Sequence, residues 1–554
     1  MTDNAELVFC PLGGVGEIGM NMGLYGFGPA NERTWLMVDC GVSFAGPDLP
    51  GVDLIMPDIR FIEAERKNLA GIIITHAHED HYGALMDLWP RLEVPVYCTP
   101  FTAGLLKAKV YGHGGVDVPV TVVEQGERIQ VGPFDVELIA MSHSIPEPTA
   151  LAIRTEFGTV LHSGDWKIDP EPGVGRPIDV KRLREIGDEG VLALISDSTN
   201  ATREGVSPSE ADVARSLTEI ISKAKHRVAV TTFASNVARL RGVALAAEAC
   251  DRDVVVIGRA MKRTLDVAAE LGYMDGIKPF LDEEAYGYLP RDKVLALCTG
   301  SQGEARAALA RIASDDHRSI TLNSGDMVIF SSRTIPGNER EVNRIINALV
   351  SDGINVMTDR DGLVHVSGHP RLGEMEQLYD MIRPMIALPV HGEAMHLEAH
   401  ARFARRQGVK TVITAYNGTM VRLAPGKAEA IDEVPVGQIL KDGGMLVEPE
   451  FSGVVERRRL SFGGVVVGSI VLNSSGEIVA DTDVVVIGVP EVDEDGDDFE
   501  EIVIDAIEGA IESIPRKRRR DPELVREAAR RAARSAVVQR WGKKPVCKIL
   551  VSVV

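Results

Sequence analysis

The chain of 554 residues contains only six cysteines, Cys10, Cys40, Cys98, Cys250, Cys298 and Cys547, with no C-x-x-C pair among them. That excludes a cysteine zinc module and a disulfide framework, and it makes a reducing cytoplasm the expected compartment. No apolar run approaches the ~18 residues that a membrane-spanning helix needs, so no membrane partner is expected. The opening MTDNAELVF has neither the basic nor the apolar stretch of a secretory leader. Internal repeats and extended low-complexity tracts are missing as well, which removes solenoids and arrays.

What is present is ordinary in proportion and uneven in arrangement. The length calls for two to four domains. Apolar residues at 45% and charged residues at 25% are those of a soluble folded protein. A formal net charge of -21 at first sight opposes a polyanionic partner. Yet acids concentrate in EVDEDGDDFEE (491–501), while RKRRR (516–520) and the arginines up to Lys544 form a basic block. From sequence alone, each run reads as a solvated face.

The first ~215 residues are short β runs split by turns, among them ELVFCPL, TWLMVDCGV, LAGIIITHAH, FDVELIAMS and VLALISDS. Strands ending in polar, reactive side chains predict an α/β sandwich with its site at the strand ends. From 208 to 364 helical and extended segments alternate, which predicts a parallel, doubly wound sheet. Strand, helix and histidines then return in IALPVHGEAMHLEAHARFARRQG. The stretch from 465 onward reads as a small separate α/β domain.

Gly14, Gly16 and Gly19 with Asp39 imitate a dinucleotide fingerprint. The imitation fails because MNMGLYGFGPANE, which follows, has no helical period. A glycine-rich turn, with backbone closely approaching another group, is expected instead.

The informative segment is IIITHAHEDHYGAL, where an apolar strand runs into His76, His78, Asp80 and His81. Imidazole and carboxylate suit zinc or manganese, and a spacing of two puts His76 and His78 on one side of an extended segment. Asp80 and His81 follow in the turn and can serve a second ion.

This H-x-H-x-D-H signature resembles that of the metallo-β-lactamase superfamily. The resemblance implies that His143 (MSHSIPEP) completes the first site, that Asp165 (LHSGDWK) bridges both, and that His391 (LPVHGE) completes the second. His162, beside the bridging aspartate, reads as structural. Two such ions suit phosphodiester hydrolysis.

The inserted domain resembles β-CASP, and DSTNA (197–201), TFASN (232–236), CTGSQGE (298–304), FSSRTIPGNE (330–339) and HVSGH (365–369) are similar to landmarks of the bacterial ribonuclease J family. The expected architecture is therefore an αββα metallo-β-lactamase sandwich in two parts, 1–207 and 365–440. A β-CASP domain fills 208–364, a linker 441–464, and a small C-terminal α/β domain 465–554.

The resemblance further implies two divalent cations, Zn2+ or Mn2+, and acid–base roles for Asp197 and His369. Single-stranded RNA, preferably 5′-monophosphorylated, would be held by His365, Val366, Ser367, Gly368 and His369 together with Ser331 and Ser332. Cleavage would run 5′ to 3′ alongside internal cutting, in a homodimer or homotetramer formed through the C-terminal domain. Some members hold calcium near a loop like PGVD and an aspartate matching Asp442. The chain departs from the family's HSIPD, carrying Glu147 in the last position. Two other readings are a small-molecule metallohydrolase, which the long inserted domain and the serine-rich segments oppose, and a non-catalytic RNA-binding or assembly subunit, whose mark would be degenerate ligands; all seven ligand positions are intact.

Overall fold

A computed structural model describes residues 4–113, 115–335 and 337–554. Two compact units are resolved: residues 1–43 with 56–437, and residues 44–55 with 438–554. Among the described residues, no helix is long and apolar enough to cross a membrane.

The first unit is built on two face-to-face sheets. In one, Ala5–Gly13, Met22–Pro29, Thr34–Val38 and Leu69–Ile73 are consecutive neighbours within eight strands; in the other, Gly158–His162, Val191–Asp197 and Ile386–Val390 lie side by side within seven. Strand alternation divides the side chains between layers. Val160, Ala193 and Ile195 join Leu7, Phe9, Leu36 and Ile73 in the core between the sheets. Their sequence neighbours Leu161 and Leu194 point the other way, packing with Leu183, Ile186, Leu378 and Phe403 of an outer helical layer. This is the expected αββα sandwich.

The topology delivers the polar side chains to one edge. Gly158–His162, Val191–Asp197 and Ile386–Val390 are parallel, with His162 opposite Ile195 and Asp197 opposite Val390. Asp165, Asp197 and His391 therefore leave the sheet at the same end.

The inserted domain contains a five-stranded sheet, all parallel, in the order Asp253–Ile257, Val294–Cys298, Val228–Thr231, Met327–Phe330, Asn355–Met357. Strand order reverses around Val228–Thr231, and the crevice beyond the carboxyl ends at such a reversal is where open α/β sheets bind ligands. TFASN, CTGSQGE and FSSRTIPGNE begin at the carboxyl ends of the three central strands. The turn around Ser331 is thereby carried on a rigid sheet.

In the second unit, Asp483–Ile487, Val465–Leu472 and Val546–Val553 form a three-stranded sheet. Helices Phe499–Ser513 and Pro522–Trp541 pack on it through Val503, Ile507, Ala529 and Ala533 against Val466, Ile470 and Ile549. Residues 441–464, read as a linker, contain a strand at Met445–Val447 and a helix at Val454–Gly463.

Candidate metal centre

The apolar strand Leu69–Ile73 ends three residues before His76, and the short helix Glu79–Tyr82 carries Asp80 and His81. That turn is clamped from behind. A Cβ on Gly41 would lie 1.7 Å from the Asp80 carbonyl oxygen, so only glycine lets the two backbones meet.

The seven expected donors fall into two groups that share Asp165: His76, His78, His143 and Asp165, and Asp80, His81, Asp165 and His391. In the first group, His78 Nδ1 lies 3.1 Å from His76 Nε2 and 3.0 Å from His143 Nε2. In the second, Asp165 Oδ2 is 3.2 Å from His81 Nε2 and 3.3 Å from His391 Nε2.

Hydrogen-bond partners decide which ring nitrogens carry protons. His143 Nδ1 faces the Gly368 carbonyl at 2.7 Å, which can only accept. His81 Nδ1 faces Asp39 Oδ2 at 2.7 Å. The Thr75 hydroxyl donates to Asp39 Oδ2 at 2.9 Å, so it accepts from His76 Nδ1 at 3.0 Å. The Nε2 atoms of His76 and His143 are thus bare lone pairs aimed inward, whereas burial opposes the charged His81 ring but the carboxylates of Asp165, Asp80 and Asp39 raise it well above the ordinary imidazole range.

Burial, reinforced by neighbouring rings, holds His76 and His143 well below the ordinary imidazole range, and burial pushes His78 down to about 4. Neutral imidazoles with converging lone pairs repel one another unless a cation lies between them. Asp165 is buried, and its Oδ1 has no hydrogen-bond partner among the described residues. The donor set therefore fits two divalent cations of the zinc or manganese kind.

Beside this cluster, His369 Nδ1 donates to Asp197 Oδ2 at 2.7 Å. Asp197 is buried, and its Oδ1 accepts the Thr199 amide at 2.8 Å. Burial opposes the charged His369 ring, but the Asp197 carboxylate, helped by Asp165, raises it to about 9. Asp197 thus lies wholly buried behind His369, whose side chain is 21% exposed. His162 is buried behind the cluster and bonds the Tyr25 hydroxyl at 2.9 Å, a packing role.

The HVSGH segment fits tightly against the cluster. A Cβ on Gly368 would lie 2.5 Å from the His143 ring. Asn200 Nδ2 donates to Ser367 Oγ at 2.9 Å and to the His369 carbonyl at 3.1 Å, tying this segment to DSTNA. His365 remains partly exposed, whereas the Val366 side chain is buried and offers a ligand only its backbone.

Ser331 differs from the expectation of a hydroxyl open to phosphate. It is fully buried; its hydroxyl donates to the Val364 carbonyl at 2.6 Å and accepts from Arg239 Nη1 at 2.7 Å. The Ser331 hydroxyl is therefore fully engaged inside the fold, and Ser332, next to it, is 4% exposed. Asp442 pairs with Arg457, and Asp53 of the PGVD loop accepts the Gly443 amide at 2.9 Å. None of the metal-capable groups among the described residues includes Asp442.

Sequence reasoning missed several residues. Asp39 orients His81 directly and His76 through Thr75; its only sequence signal was its place in the false fingerprint. Asn21 approaches His81 Nε2 at 3.1 Å, and a Cβ on Gly14 would lie 2.1 Å from Asn21 Oδ1. The glycine-rich turn thus makes the close backbone approach that was expected. Arg239 pairs with Glu210 in the interior and gave no periodic signal at all.

Fold and cluster together define a metallo-hydrolase of the metallo-β-lactamase type with an inserted β-CASP domain. Family descriptions match accordingly: Metallo-beta-lactamase superfamily over 21–258, Ribonuclease J beta-CASP domain over 225–349, Zn-dependent metallo-hydrolase RNA specificity domain over 353–415, and Ribonuclease J C-terminal domain over 453–554. The chain belongs to the ribonuclease J family. It is 57% identical to Ribonuclease J of Sinorhizobium meliloti, covering 100% of this chain and 98% of that one. Identity to the Mycolicibacterium smegmatis relative is 39% over 97% of this chain and 95% of the other, and to that of Corynebacterium glutamicum 38% over 97% and 74%. A solved protein of unknown function from Enterococcus faecalis V583 shares the fold at a TM-score of 0.53 and 15% identity, over 75% of this chain and 100% of its own.

Proposed function

We propose that this chain is a metal-dependent ribonuclease that hydrolyses phosphodiester bonds in single-stranded RNA. It removes nucleotides 5′ to 3′ from monophosphorylated ends and also cuts internally, in RNA processing and mRNA decay. The observation that carries the reading is the pair of donor groups sharing Asp165, with the His369–Asp197 pair alongside.

His76, His78, His143 and Asp165 would hold one cation, and Asp80, His81, Asp165 and His391 the other. When bound, two such cations supply the activation of water and the neutralisation of phosphate charge that this hydrolysis needs. His369, kept protonated by Asp197, donates a hydrogen bond or a proton to an oxygen of the reacting phosphate. Asp39 holds His81 and His76 in their ligating tautomers. Ser332, Ser367, His365 and the backbone of Val366 and Gly368 bind the terminal phosphate, while Arg239 and Ser331 keep that wall in place.

The seven donor positions are all intact, which disfavours a non-catalytic assembly subunit. Six unpaired thiols accord with work in the cytoplasm, and the C-terminal domain serves homodimer or homotetramer formation. The test is to strip the metal, restore manganese or zinc, and follow RNA bearing a 5′-monophosphate or 5′-triphosphate, with His78→Ala as control. Mononucleotides released only from the monophosphorylated RNA, and not by the variant, are expected. Metal binding without cleavage of either RNA overturns the reading.

A further inference from the structure

The two charge runs of the C-terminal unit lie at opposite ends of one helical hairpin. The acidic loop precedes helix Phe499–Ser513, and the basic turn 516–520 joins that helix to Pro522–Trp541. At the far end of the second helix Arg540 closes on the acidic loop, 2.6 Å from Asp493, 3.5 Å from Asp495 and 3.8 Å from Asp497. A helix of 20 residues spans roughly 30 Å, so these acids leave the basic turn uncompensated.

Cations elsewhere on the hairpin are matched in place. Arg526 pairs with Glu523, and Arg530 and Arg531 with Glu527. The basic turn is different. Arg516, Lys517, Arg518 and Arg520 are exposed and make no ion pair among the described residues.

The turn is also rigid. Arg519 Nε donates to the Ile514 carbonyl at 2.6 Å and its guanidinium also reaches the Glu512 carbonyl, closing the end of the first helix. Gly476, at φ +82, packs so tightly on Arg519 that a Cβ would lie 2.6 Å from the arginine's own. Asp521 caps the second helix by accepting the Glu523 amide at 3.1 Å. One of the five basic residues is thus consumed by structure, and four are held outward on a fixed platform. Four like charges repel one another, and a polyanion relieves that repulsion while releasing its own counterions.

We propose that the 516–520 turn is a second RNA contact, which grips the phosphodiester backbone without reading bases, outside the catalytic cluster. It rests on the ribonuclease reading for its ligand class. It also answers how a chain with a net charge of -21 holds RNA: the attraction is local.

The experiment compares the full-length enzyme with a variant carrying Arg516→Gln, Lys517→Gln, Arg518→Gln and Arg520→Gln, leaving Arg519 intact. Binding is measured by fluorescence anisotropy on a ~6-nucleotide and a ~40-nucleotide single-stranded RNA across a salt series. Single-stranded contacts contribute about 0.7 each to the slope of log affinity against log salt, so the long-RNA slope is expected to fall by about 2 to 3. Long-RNA affinity is expected to drop about 100- to 1,000-fold at ~0.1 M salt, with short-RNA binding unchanged. An unaltered slope overturns the proposal, as does an equal loss on both lengths. A change in oligomeric mass with unaltered RNA affinity also overturns it, assigning the turn to a protein partner. If the unmodified enzyme binds and cleaves neither RNA, it is the ribonuclease reading that fails.

Discussion

The Tyr273 hydroxyl donates to Glu147 Oε1 at 2.6 Å, while Glu147 Oε2 accepts the Phe101 amide at 2.7 Å. The carboxylate, four residues after His143, thereby joins the inserted domain to the start of helix Pro100–His113. It lies in left-handed backbone at φ 56. An aspartate, shorter by about 1.5 Å, cannot serve both partners. The chain's departure from HSIPD is therefore a tie between domains. Glu147→Asp and Tyr273→Phe are each expected to cost about 1–2 kcal/mol, with a coupling of at least ~0.5 kcal/mol in a double-mutant cycle by denaturant unfolding. Strict additivity would show that the contact carries no energy.

Asp39→Asn tests the orienting role of Asp39. The backbone is at φ 65, which asparagine tolerates, so the substitution removes the carboxylate's charge and an acceptor without backbone strain. One of its amide groups must then face an N–H or O–H that the carboxylate accepted. Metal affinity is expected to fall about 10–100-fold in competition with a chelator.

Gly368→Ala drives a methyl group into the His143 ring. Metal stoichiometry by elemental analysis is expected to fall from two towards one, with cleavage lost in parallel. Full occupancy in this variant would detach HVSGH from the first metal group.

Arg239 donates to Ser331 and the Val364 carbonyl while pairing with Glu210, both charges lying in the interior. Arg239→Met strands the carboxylate and is expected to destabilise the first unit by about 3–5 kcal/mol. Adding Glu210→Gln removes the stranded charge and should recover part of the loss in thermal unfolding, without restoring binding of the 5′-phosphate.

His400 gives a pH dependence independent of the metal donors. Its ring bonds Ser198 Oγ at 2.9 Å and the Tyr379 hydroxyl at 2.8 Å, and burial pushes it down to about 4. Unfolding frees a ring that titrates near 6.5, so the unfolded chain binds the extra proton between these values. Stability is then present above about pH 6.5 and lost as pH falls through 4, at up to ~1.4 kcal/mol per pH unit. His400→Gln should flatten the slope of unfolding free energy against pH by up to one proton in that window.

The candidate donors, which the structure gathers into two groups, were legible because histidines and aspartates at a strand end are hard to explain by packing, and the sandwich because apolar runs ended in them. What stayed hidden depends on distance along the chain. Asp39 meets His81 through a turn forty residues later, and Arg239 meets Val364 across 125 positions. Ser331 misled because a serine in a glycine-rich turn suggests an open hydroxyl, and only the buried guanidinium reveals that its bonds are spent. The burial of Asp197 and its bond to His369 belong to the tertiary structure and leave no mark in DSTNA itself.

The order of donors along the chain sets a clock on synthesis. Asp165 completes the first group early, whereas His391 arrives more than two hundred residues later, just after the strand that pairs beside Asp197. At roughly 5–20 residues per second, ten seconds or more separate the two during translation. A ribosome-bound chain thus carries an incomplete second donor group past the entire inserted domain, and the C-terminal domain is still to be made when His391 is added.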